Sequence, residues 1–107
     1  MNIKLNHIVD SDIRVEMDRP ELVGTEKQVA WADDIRGAFI RQVEAVVVKA
    51  YSQPKQDGSK IEGMDDLYAV MEQVGMIAAI EKVFAKTDAK FWIDNRGASF
   101  GQLVQAA

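Results

Sequence analysis

The chain contains no cysteine. Disulfides, thiolate nucleophiles and cysteine-ligated metals are therefore excluded at the outset. Histidine is nearly absent as well: His7 is the only one. A hydroxyl nucleophile activated by imidazole would have to be built around it, and no partner motif accompanies it. Long apolar runs are missing. AVVV at residues 45–48 and MIAAI at 76–80 are the longest, far below the roughly 20 residues of a membrane-spanning helix. The opening MNIKLNHIVDSD has no stretch of signal-peptide length, so a cytoplasmic protein without a membrane segment is expected. Basic residues are outnumbered, 13 against 17 acidic ones, for a net charge of −4. That balance opposes non-specific duplex binding, which needs Lys and Arg in excess, although a local basic patch stays open.

What is present fits one globular domain. The 107 residues are 48% hydrophobic and 28% charged, enough to bury a core without staples and too apolar for a disordered chain. Residues 1–19 alternate in character: Ile3, Leu5, His7 and Val9, then Ile13, Val15 and Met17, on either side of Asp-Ser-Asp. Period-two spacing around a turn signal predicts a β-hairpin, and an extended arm would give the same pattern. Residues 25–52 predict one long helix, with Thr25 and Gln28 spaced as a capping box. Its apolar stripe runs through Ala32, Ile35, Phe39, Val43, Val46 and Ala50, widened by Trp31, Ala38, Val47 and Tyr51 to more than one buried side. Asp33 with Arg36, and Arg41 with Glu44, are spaced to pair on its wet face.

A polar loop follows at 53–63, then a helical stretch at 64–86. Leu67, Val70, Met71, Val74, Ile77, Ile80 and Phe84 share one face of that stretch, and Gly75 predicts a kink or break. Thr87 is placed as N-cap of a helix over 88–96, Gly97 as its C-terminal stop and Ser99 as the cap of a short helix over 99–105. The fold class is mainly α: three to four helices with a short N-terminal β-hairpin or extended arm.

Candidate chemistry is sparse. No pair of carboxylates has a spacing that marks acid–base work. The loop QDGSKIEGMDD invites comparison with a calcium loop, yet with Gly58 at the glycine position, Gln53 and Lys55 fall where oxygen ligands belong. LVGTEKQ lacks the glycine spacing of a phosphate loop. No metal, no cofactor and no enzymatic activity are expected.

Two stretches resemble a known group. PELVGTEKQVAWADDIR at 20–36 is similar to a motif of small phage, plasmid and other mobile-element proteins, in which Gly-Ser/Thr-Glu-Lys-Gln leads into Trp-Ala and then Ile-Arg. TDAKFWIDNR at 87–96 is similar to the second motif of the same group, usually Thr-Ser-Ala-Lys-aromatic-Trp-Ile-Asp-Asn-Arg. The resemblance covers roughly a quarter of the chain, and it implies a helical module of mobile elements with no attached activity.

Two readings of these motifs compete. In one, Thr25, Gln28, Trp31, Thr87 and Asp94 are structural, both tryptophans pack in the core, and Lys90 pairs with Asp94. In the other, Arg36, Trp92, Asn95 and Arg96 form one recognition patch, since Trp and Arg dominate interface hot spots. The favoured expectation is a small acidic module that binds a host or element-encoded protein and inhibits it. A nucleic-acid-binding accessory protein is the alternative, with Lys55, Lys60, Lys82, Lys86 and Lys90 as its footprint. The hairpin edge leaves room for a homodimer.

Overall fold

A computed structural model describes residues 2–9 and 11–107. Asp10, which the expected turn includes, lies outside them. Strands β1 (Ile3–Val9) and β2 (Asp12–Met17) form an antiparallel hairpin that pairs Ile3 with Met17 and Leu5 with Val15. Alternation decides which side is buried: Ile3, Leu5, Ile13 and Val15 face the core, while Lys4, Asn6, Arg14 and Glu16 face out. A two-stranded hairpin is marginal in water, and helices support this one. Helix α1 (Glu26–Tyr51) packs on β2 and helix α2 (Gly63–Gln73) on β1. Helices α3 (Met76–Phe84), α4 (Ala89–Asp94) and α5 (Phe100–Ala106) complete the chain.

Among the described residues the helices number five, where three to four are expected, because the stretch at 64–86 is two. Gly75 takes φ +81°, a left-handed conformation that stops α2 and re-aims the chain into α3. The break also moves Val74 off the expected apolar face and leaves it 69% exposed.

Helix α1 begins with both hydrogen bonds of the capping box: the Thr25 hydroxyl accepts from the Gln28 main-chain N–H, and the Gln28 side-chain Oε1 accepts from the Thr25 main-chain N–H. Its buried positions are Ala32, Arg36, Phe39, Val43 and Val47, a single stripe at steps of three and four. Of the expected apolar positions Trp31, Ala38 and Val46 are exposed, whereas Val47 is buried and Ile35, Ala50 and Tyr51 are partly buried against the core. Glu44 does not pair with Arg41. Its carboxylate instead accepts the Val15 amide at 2.9 Å and ties the hairpin to the helix.

One core joins these elements. Trp92 is fully buried between Phe39, with ring centroids 6.1 Å apart, and Phe84, at 5.5 Å. Ile77, Ile80 and Val83 of α3, Leu103 of α5 and the inner face of the hairpin continue the same cluster. Ser99 and Gln102 form a second capping box at the start of α5. No helix among the described residues is long and apolar enough to cross a membrane.

Candidate interaction surface

The two motifs meet in space. The Val23 amide donates to the Thr87 carbonyl at 2.7 Å, and the Ala89 amide donates to the Val23 carbonyl at 2.9 Å. These bonds make a short parallel bridge between Val23 and Asp88, just ahead of α1 and α4 respectively. Gly24 lies so close to α4 that an added Cβ would sit 3.1 Å from the Ala89 Cβ, which explains a glycine at that position. Beyond the bridge, α4 packs along α1.

The bridge also corrects the α4 cap. The Thr87 carbonyl serves the bridge, and the cap falls one residue later. The Asp88 carboxylate accepts the Lys90 amide at 3.0 Å. At the other end the helix stops at Asp94, without a left-handed glycine: Gly97 has no positive φ. Side chains satisfy the last carbonyls instead. The Asn95 amide nitrogen donates to the Phe91 carbonyl at 2.8 Å, and the Arg96 guanidinium donates to the Ile93 carbonyl at 2.7 Å. Among the described residues no ion pair joins Lys90 to Asp94, and Asp94 is exposed.

The expected patch of Arg36, Trp92, Asn95 and Arg96 does not form. Trp92 is 0% exposed, and its indole N–H donates to the Lys86 carbonyl at 3.1 Å, so the ring and its polar atom are both spent on the core. Arg36 is 7% exposed and serves the fold. Its guanidinium donates to the Pro20 carbonyl at 2.8 Å and pairs with Asp33 at 3.1 Å, while its Nε is buried without a partner. Asn95 is half-buried and occupied as a cap.

Trp31 takes the place that Trp92 was expected to fill. It is 49% exposed, and the Arg96 guanidinium lies over its ring at 5.1 Å from the centroid. A cation on an exposed indole face is attracted to it by about 0.5–1 kcal/mol. One motif supplies the tryptophan and the other the arginine. A wheel of α1 carries the signal that finds Trp31: it precedes the buried Ala32 by one residue, which turns it about 100° off the stripe.

The lysines of the basic footprint come from several elements. Lys82 belongs to α3, Lys90 to α4, and Lys86 lies between them over the Phe91 ring at 5.7 Å. Lys55 is paired with Asp66 at 2.8 Å. That pair closes the 53–63 loop, with buried Ile61 as its apolar anchor. The hydrogen bond from Lys55, with the Glu62 amide behind it, holds the Asp66 carboxyl below the usual aspartate range, and the same pairing raises Lys55. Asp57 is lowered too, by the Ser59 hydroxyl and amide that it accepts. The loop's carboxylates thus serve its own turn. Among the described residues no three His, Asp or Glu side chains are grouped to hold a metal.

Comparison with protein-family models, with curated proteins and with solved structures finds no match for this chain.

Proposed function

We propose that this chain is a small acidic protein-interaction module of a phage or other mobile element. It acts in the cytoplasm by binding, and thereby inhibiting, a host or element-encoded protein. The observation that supports this reading is the Trp31–Arg96 pair: a large aromatic left 49% exposed at the junction of two motifs whose other conspicuous side chains are committed to the fold. Trp and Arg are the residue types that most often anchor an interface, and a prearranged pair loses little side-chain entropy on binding. Affinity capture from host lysate tests it. Wild type recovers a stoichiometric partner, and a Trp31→Ala/Arg96→Glu variant that still folds loses it. Equal recovery by both proteins, or no stoichiometric partner for wild type, overturns the proposal.

A further inference from the structure

Helix α1 has two flanks beside its buried stripe. Residues that precede buried positions, such as Trp31 and Val46, share one flank. Residues that follow them, Gly37, Ile40 and Glu44, share the other. On this second flank, between α1 and β2, runs a groove of about 480 Å³ lined by Arg14, Arg19, Arg41, Glu16, Glu44 and Gly37, among others. Three of the chain's five arginines line it, in a chain of net charge −4. Arg14 pairs with Asp12 at 3.3 Å, but among the described residues neither Arg19 nor Arg41 has a carboxylate partner. Gly37 adds an independent sign. Glycine inside a helix costs stability relative to alanine, and a Cβ there would meet nothing within 4 Å. Packing within the chain therefore does not account for it, and the groove is open at Gly37. The Val15 amide points away from β1 into this groove, where it is already bonded to a carboxylate oxygen of Glu44.

We propose that this groove binds an acidic, extended segment of a partner protein, which lies along the outer edge of β2 and over Gly37 with its carboxylates on Arg14, Arg19 and Arg41. Guanidinium forks suit carboxylates, and strand edges suit extended peptides. A nucleic-acid backbone fits less well, because its unbroken run of phosphates would meet Glu16 and Glu44, whereas a peptide can space its charges around them. The proposal shares with the previous section only the premise that the chain works by binding protein. Selection from a displayed library of random linear peptides tests it. Enriched sequences carry Asp or Glu at alternate positions, and affinity for a synthetic peptide of that kind falls about tenfold or more in Arg19→Glu/Arg41→Glu. Gly37→Gln, which fills the floor without changing charge, weakens binding to a similar degree. Trp31→Ala leaves it intact, so failure here is distinct from failure of the Trp31–Arg96 surface. Enrichment without acidic residues, affinity indifferent to charge reversal, or tighter binding of a single-stranded DNA oligonucleotide at the same salt would each overturn the proposal.

Discussion

The two tryptophans hold similar places, each within the first two turns of a motif helix, yet they have opposite fates. Trp92 falls on the face of α4 that meets Phe39 and Phe84, whereas Trp31 falls one residue before the stripe of α1. Truncation therefore separates them. Trp92→Ala should destabilise by about 3–5 kcal/mol, as expected for a large aromatic removed from a core. Trp31→Ala should cost only about 0.5–1 kcal/mol, the scale of an exposed cation–π contact. Urea denaturation of both variants measures the difference, and equal losses would contradict the assignment. Sequence reasoning at this scale sees residue types and misses one-residue offsets. The cap at Asp88 in place of Thr87 is the same kind of miss. There the competing demand, a main-chain bond from Val23 to Thr87, comes from 64 residues away and has no local signature.

Elements were more legible than sites. The capping box at Thr25, the cap at Ser99 and the break at Gly75 follow from side-chain spacing and backbone sterics alone, and each is present. Partner choice across elements was not legible: Glu44 is three residues from Arg41, yet it bonds the Val15 amide of the hairpin. Glycines show how context sets the sign of one substitution. Gly37→Ala places a methyl in open space within regular helix, so it should stabilise by about 1 kcal/mol. Gly75→Ala forces a Cβ into φ +81° and should destabilise by about 1–2 kcal/mol. Melting temperatures that shift in opposite directions are the expected result, and a shared sign would refute it.

At the scale of the whole molecule, one core cluster links hairpin and helices, and a Cα radius of gyration of 14.6 Å exceeds the roughly 13 Å of a compact chain this long. The long axis of 48 Å is set by α1, whose 26 residues span about 39 Å. A single shared core predicts one cooperative transition, with circular dichroism and Trp92 fluorescence coinciding. Its pH dependence follows from the 53–63 loop. Asp57 and Asp66 are lowered on folding, so their contribution is complete above the unfolded value near pH 4 and is lost as pH falls through the folded values. Lys55 is raised, so its contribution is complete below the unfolded value near pH 10 and is lost as pH rises past the folded one. Asp66→Asn should make both limbs of a melting-temperature profile shallower, and an unchanged acid limb would count against the pair. The bridge between Val23 and Asp88 carries a last consequence. It works as a clasp, closed by main-chain bonds just ahead of α1 and α4. Closure entropy rises by only about 0.6 kcal/mol per doubling of loop length. A few residues inserted into the 53–63 loop, which lies between its halves, should therefore leave the clasp closed.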